Sequence, residues 1–285
     1  MDNPLVSIVV ITYNSSNYVL ETLESAKAQT YQNIELIVSD DSSKDNTVDI
    51  CMEWIEKNKE RFVRTELITV KKNTGISSNA NRGIKSAKGE WIKGFAGDDI
   101  LMPNCIETYL SYAKKHSNEK LFFSYPVFFG DDVTRDKEFW ERALIVFEKM
   151  KTSEQQFDYL KNQHNFVPAA TSFIHRSIFF ETIGFYEEFL LFIEDYPYWL
   201  KCTKQGFNLR ILNEKLVKYR ISTNSTSTSS IFQSSYLVFQ YRDIKEYKLL
   251  KPLLLRINQR KKNDWYLNKI LFFCIKHLGR ILYGK

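Results

Sequence analysis

Residues 6–14, VSIVVITYN, decide the fold. Val6–Ile11 is a short apolar run rich in β-branched residues, closed by the polar Thr12-Tyr13-Asn14. It has no basic flank and is too brief for a signal sequence, so it reads as a buried strand. Moving outward, short β-branched runs alternate with helical spacing. Tyr18–Ala28 is helical, Ile34–Ser39 a second strand and Thr47–Lys57 a second helix. Glu66–Val70, Ser77–Ala87 and Trp91–Phe95 continue the alternation, and a further helix opens near Pro103. Such alternation predicts βαβ units in an α/β fold with a mainly parallel, doubly wound, Rossmann-like sheet. Ligands of these sheets bind beyond the carboxyl ends of the strands, so chemistry is sought there.

After Leu121–Phe129 the pattern changes. Glu138–Asn162 predicts one long helix or a helical pair, placed as an insertion. Ala169–His175 predicts a strand, Ser177–Thr182 a short helix closed by Gly184, and Leu209–Ile221 another strand. Thr223–Ser230 is a Ser/Thr run of loop character, followed by aromatic and basic helical stretches. The organisation expected is a catalytic domain over 1–222 and a helical tail over 223–285. Within the former, 1–120 binds the donor and 121–222 faces the acceptor.

The 285 residues are 44% hydrophobic and 15% aromatic, enough for a substantial core. Cys51, Cys105, Cys202 and Cys274 are far apart, with no CxxC, which argues for a reducing, cytosolic setting rather than a disulfide framework or structural zinc. Net charge is +6, but its placement is uneven: Lys245–Lys285 holds eleven Lys and Arg against Glu246 and Asp264, a net +9 that leaves −3 elsewhere. A main body of that charge argues against a nucleic-acid groove and points to an anionic partner at the tail alone.

Three polar clusters follow three predicted strands: Thr12-Tyr13-Asn14, Asp40-Asp41 with Ser42, Ser43 and Asp45, and Gly97-Asp98-Asp99. Asp, Ser and Asn also cap helices, but doubled aspartates at two strand ends of one sheet favour a shared crevice. Adjacent carboxylates on a tight turn repel one another unless a cation joins them. Hard oxygen ligands suit Mg²⁺ or Mn²⁺, which can bridge to a diphosphate, and no glycine-rich phosphate loop is present to do that work. A further segment, residues 192–199 (FIEDYPYW), sets Glu194 and Asp195 among aromatic residues, an environment that raises proton affinity and suits a general base.

Together these residues resemble the family 2 glycosyltransferases of the GT-A fold. The resemblance runs from Val6 to about Arg220 and rests on VSIVVITYN, LIVSDDSSKDNT, NTGISSNANRGIKSAKGEWI, GDDILMP and FIEDYPYWLK in this order. It implies an enzyme that transfers a sugar from a nucleotide-diphosphate donor, a UDP-sugar in the first instance. Thr12, Tyr13 and Asn14 would form the base pocket, with Tyr13 against the base and Asp41 accepting from its ring N–H. Asp98 and Asp99 match the metal and diphosphate motif, with Asp99 a direct ligand of Mn²⁺ or Mg²⁺. Asp195 matches the base that deprotonates the acceptor hydroxyl for an inverting displacement, with Glu194 assisting. The sequence departs from the family pattern at three places. Ala96 stands where a further Asp is frequent, and Ala80 where an Arg often precedes Asn81, leaving Arg82 as the nearby cation for phosphate. Ile221 and Ser222 follow Tyr219-Arg220 where a His is common.

In the tail, Leu267, Ile270, Leu271, Cys274, Leu278, Ile281 and Leu282 recur at helical spacing among Lys269, Lys276 and Arg280, with Trp265 and Tyr283 near the ends. A basic amphipathic helix of this kind suits an anionic cytoplasmic leaflet, and with the family resemblance it implies a lipid-linked saccharide acceptor in capsule or O-antigen assembly. The same pattern also fits a helix packed on the catalytic domain. Ala96 and the missing His motivate an alternative reading, a catalytically degenerate nucleotide-sugar-binding or scaffold protein at the membrane. A phosphorylation receiver is half this length and requires an acid after the third strand, where Lys71 and Lys72 stand. A nicotinamide dehydrogenase requires the glycine fingerprint that the first turn lacks.

Overall fold

A computed structural model describes residues 3–131, 134–162, 167–188 and 194–221. The predicted tail helix, the Ser/Thr run and Phe192-Ile193 lie outside the described residues. Among the described residues eight strands form one sheet: β1 (Val6–Thr12), β2 (Ile34–Asp40), β3 (Arg64–Thr69), β4 (Trp91–Ala96), β5 (Ile100–Leu101), β6 (Leu121–Gly130), β7 (Phe173–His175) and β8 (Arg210–Ile221). Their order is β3-β2-β1-β4-β7-β6-β8-β5. Pairings β1–β2, β1–β4, β2–β3 and β6–β8 are parallel, whereas β4–β7, β6–β7 and β5–β8 are antiparallel. The expected parallel, doubly wound sheet is therefore present, extended by a mixed half.

β1 and β2 are apolar on both faces because both faces are covered, the burial pattern of a central parallel strand. Alternation divides them between two cores. Val6, Ile8, Val10, Leu36 and Val38 pack with α1 (Val19–Lys27), α2 (Thr47–Asn58) and α4 (Cys105–Lys115). Val9 and Ile37 face the other way, against Ile84 of α3 (Ile76–Ser86) and Trp199 of α7 (Asp195–Lys204). Gly83 permits this second contact: a Cβ there would stand 2.5 Å from Val9 Cγ1.

Two buried charges interrupt the apolar strands. Glu35 on β2 accepts from Ser7 Oγ (2.6 Å), the Lys88 and Gly89 amides (2.5 and 3.0 Å) and Arg64 (2.7 Å). Burial pushes its proton affinity up, but these donors outweigh it and hold the carboxyl below its usual range. This knot closes the amino ends of the strands, away from the crevice. Lys93 on β4 is fully buried and donates to the carbonyls of Ala170 (2.5 Å) and Gly94 (3.1 Å).

The structure corrects several boundaries. The segment 138–162 is a helical pair, α5 (Thr134–Glu148) and α6 (Ser153–Asn162). Ala169–Thr171 is a tight 3₁₀ turn and only Phe173–His175 is strand, since Thr171 Oγ1 and its amide both fold back to the Pro168 carbonyl. Residues 178–182 form one wide helical turn, with Gly184 beyond it at φ 88°. The helix near Pro103 starts at Cys105. Two-residue β5 escaped the sequence pattern because its pairing with β8 is long-range rather than periodic. Among the described residues no helix is long and apolar enough to cross a membrane.

Candidate active site

The carboxyl ends of β1 and β2 are laced together by side chains from the first two polar clusters, and the turn after β4 joins them through the Gly97 amide, which donates to the Ile11 carbonyl (2.9 Å). Thr12 Oγ1 donates to Asp40 Oδ2 (2.8 Å), and the Asp41 amide donates to the Thr12 carbonyl (3.0 Å). Asp40 also receives the Ser43 amide (2.8 Å) and hydroxyl (2.5 Å). Asn14, in the left-handed region at φ 52°, donates its amide to Ser43 Oγ (2.8 Å) and accepts from the Lys44 amide (2.7 Å). Ser42 is left-handed too, at φ 67°. These two strained positions stand together on the crevice rim, where such conformations are typically held for a purpose. Tyr13, next to Asn14 in the chain, is 48% exposed.

Asp41 is placed differently from the sequence expectation. Its Oδ1 accepts from Thr74 Oγ1 (2.6 Å) and Arg82 Nη2 (3.0 Å), and its Oδ2 from the amides of Thr74 (2.8 Å) and Gly75 (2.7 Å). Four donors use the whole lone-pair capacity of a carboxylate. In this conformation Asp41 anchors the loop before α3, and Arg82, read as a phosphate contact, is its ion-pair partner. A base N–H could reach Asp41 only if one of these donors gave way.

The acid turn follows β4. A Cβ at residue 97 would lie 2.7 Å from Thr12 Cγ2, so glycine lets this turn close on the end of β1. Thr22 Oγ1 of α1 donates to the Asp99 carbonyl (2.8 Å), while Asp99 Oδ1 accepts the Arg220 amide (2.9 Å). The Asp99 carboxyl is buried, and burial together with the adjacent Asp98 charge drives its proton affinity well above the ordinary range. Asp98 is raised as well, first by burial, with Arg220 opposing. Neither residue caps a helix. A pair of carboxylates short of positive charge and made only of hard oxygens fits a divalent cation that takes its remaining ligands from substrate phosphates and water. Among the described residues no group of three or more His, Cys, Asp or Glu side chains converges on such a point.

Glu194 and Asp195 open α7. Asp195 Oδ1 accepts the Tyr196 amide (2.7 Å), and Glu194 is pushed up to about 8 by burial and then by the Asp195 charge. Asn81 of α3 donates to the Tyr186 carbonyl (2.8 Å) and Glu188 (3.0 Å) and accepts the Tyr186 amide (2.9 Å), which ties residues 186–188 to the donor half. Burial first, and then the charges of Asp99, Asp98, Asp195 and Glu194 in turn, keep the hydroxyl of Tyr219 on β8 protonated.

Sequence reasoning missed Lys93, Arg220, Tyr18 and Tyr219 as contributors. Burial lowers Lys93 to about 8, and its charge in turn favours the ionised form of Asp99. A lysine within WIKGFA, flanked by apolar residues on a strand buried on both faces, was the available signal. Arg220 joins the acid turn to α1 through a pairing more than 120 residues apart, which no local pattern encodes.

Residues 7–181 match the family described as Glycosyl transferase family 2. An uncharacterized glycosyltransferase of Rickettsia typhi is 32% identical over 237 residues, covering 81% of this chain and 68% of the relative. A Bacillus subtilis glycosyltransferase whose name, TuaG, ties it provisionally to teichuronic acid biosynthesis is 26% identical over 248 residues, 87% of this chain and 91% of its own. Among solved structures, S. aureus TarS in complex with UDP-GlcNAc superposes with a TM-score of 0.62 at 16% identity, covering 88% of this chain and 70% of that one. A mannosyltransferase from Pyrobaculum calidifontis in complex with GDP-Man and Mn²⁺ gives 0.58 at 16% identity, covering 89% and 68%. These likenesses establish the GT-A fold, and with the match over most of the sheet they show that the chain belongs to glycosyltransferase family 2.

Proposed function

We propose that this glycosyltransferase moves a sugar from a nucleotide-diphosphate donor, a UDP-sugar in the first instance, to an acceptor hydroxyl with inversion at the anomeric carbon. The observation that carries this reading is the acid turn after β4, closed against the end of β1 with Asp99 buried and bonded to the Arg220 amide, in a chain whose residues 7–181 match glycosyltransferase family 2. This turn and the Glu194-Asp195 pair suit two tasks, holding a leaving diphosphate and accepting a proton from the nucleophile.

Asp195 serves as the base: it takes the acceptor proton as the hydroxyl attacks. Glu194 beside it, pushed up to about 8 by burial and the Asp195 charge, orients the acceptor. Tyr13 lies against the nucleobase, while Thr12, Asn14 and the Asp41–Arg82 pair shape the base and ribose end. Asp98 and Asp99 would hold Mn²⁺ or Mg²⁺, and the ion, when bound, neutralises charge on the departing diphosphate. Lys93 and Arg220 supply positive charge behind these carboxylates and favour their ionised form.

The acceptor proposed is a lipid-linked saccharide of surface-polysaccharide assembly, met at the cytoplasmic face of the membrane. Support comes from the net +9 of residues 245–285 and from the teichuronic acid link in the name of the Bacillus relative. Calorimetric titration with UDP, GDP, dTDP and CDP, each with and without Mn²⁺, tests the donor half. Metal-dependent binding of one nucleotide is expected; a folded protein that binds none of them refutes the reading in favour of a degenerate scaffold.

A further inference from the structure

Arg220 is the penultimate residue of β8 and is half-buried, its side chain 12% exposed. Its guanidinium lies 4.3 Å from the ring centroids of both Tyr18 and Phe129, sandwiched between the loop before α1 and the end of β6. Nε donates to the Asp98 carbonyl (2.9 Å), Nη2 to Glu21 Oε2 on α1 (2.6 Å), and the Arg220 amide to Asp99 Oδ1 (2.9 Å). One residue thus touches the backbone of the first acid, the carboxylate of the second and the helix that packs behind both. Arginine suits the position because its planar fork reaches two acceptors at fixed angles while both of its faces stack.

Building on the reading of Asp98 and Asp99 as the cation-holding pair, we propose that Arg220 is a positioning residue for that pair. It fixes the acid turn against α1 through Glu21, so that the carboxylates are set before donor and cation arrive. The contact to Asp99 runs through the main chain and survives substitution of residue 220. What a substitution removes is the stacked side chain and its link from Asp98 to Glu21. Lysine keeps the charge but has neither the fork nor the flat faces, so the proposal separates geometry from charge.

The test uses the full chain and three variants, Arg220→Lys, Arg220→Gln and Glu21→Gln. Mn²⁺ affinity in the presence of UDP is read by paramagnetic resonance, alongside thermal melting and turnover at saturating Mn²⁺. Expected are at least tenfold weaker Mn²⁺ binding in Arg220→Lys and Arg220→Gln, and a smaller loss in the same direction in Glu21→Gln. Combining Glu21→Gln with Arg220→Lys should cost little beyond Arg220→Lys alone, because the two share one link. A purely structural role would lower the melting temperature and leave the Mn²⁺ affinity of the folded fraction unchanged, which overturns the proposal. Glu21→Gln, on an exposed side chain, keeps the test decisive even if both Arg220 variants fold poorly: wild-type Mn²⁺ affinity there also overturns it. Failure of the wild type itself to bind Mn²⁺ with UDP would instead refute the reading of the acid pair on which this rests.

Discussion

Replacing Lys93 with methionine should leave the protein nearly as stable at neutral pH, yet remove a pH dependence and impair catalysis. Lys93 is fully buried, and burial lowers it from 10.5 to about 8. Below pH 8 the folded state therefore carries the cost of an ammonium ion out of water, about 3 kcal/mol from that displacement. The folded pKa lies below the unfolded one, so this cost is full below about 8 and fades as pH rises towards 10.5. Methionine has a similar volume and removes the cost, but it leaves the Ala170 and Gly94 carbonyls without their donor. Two orphaned buried acceptors cost roughly 1–3 kcal/mol each, so the opposing effects nearly cancel at pH 7. Urea unfolding of both proteins at pH 7 and pH 10 checks this. The wild type should gain about 2 kcal/mol on the variant over that interval, because only the wild type sheds a proton from this site. Titration of other groups cancels in the difference. Catalysis should fall at least tenfold, since Asp99 loses a nearby cation that favours its ionised form. An equal pH response in the two proteins would refute the placement of a strained ammonium at this point.

Asp195→Asn should abolish sugar transfer while leaving nucleotide affinity within a factor of two, measured by product formation and calorimetry on the same sample; wild-type turnover would remove Asp195 from the role of base. Glu194→Gln should erase an ionisation near 8 from the pH profile of kcat, because the neutral carboxyl of the wild type ionises there on raising pH. Asp99→Ala should weaken UDP binding at least tenfold in the presence of Mn²⁺ and make the residual binding indifferent to the metal. Gly97→Ala should weaken nucleotide binding without unfolding the chain, because its Cβ meets Thr12 Cγ2 at 2.7 Å and forces the acid turn off the end of β1.

The sequence by itself determined the layered fold and which strand ends carry the polar clusters. VSIVVIT and IELIVSD are too apolar on both faces to be anything but covered parallel strands, and the polar residues that end them must then gather at one edge of the sheet. Thr12, Asn14, Asp41, Asp98 and Asp99 were legible for that reason: each follows a strand whose boundary is local. Tertiary structure alone decided how those residues are engaged. Asp41 looked like a free acceptor until the loop at Thr74 and Gly75 folded over it and Arg82 paired with it. The acid turn looked like two uncompensated charges until β8 returned from the far end of the sheet and brought Tyr219 and Arg220 alongside. Local periodicity records which face of an element is buried, whereas hydrogen bonds and charge pairs between residues 33 to 199 positions apart depend on how the sheet is ordered, and that order is set by the packing of the whole chain.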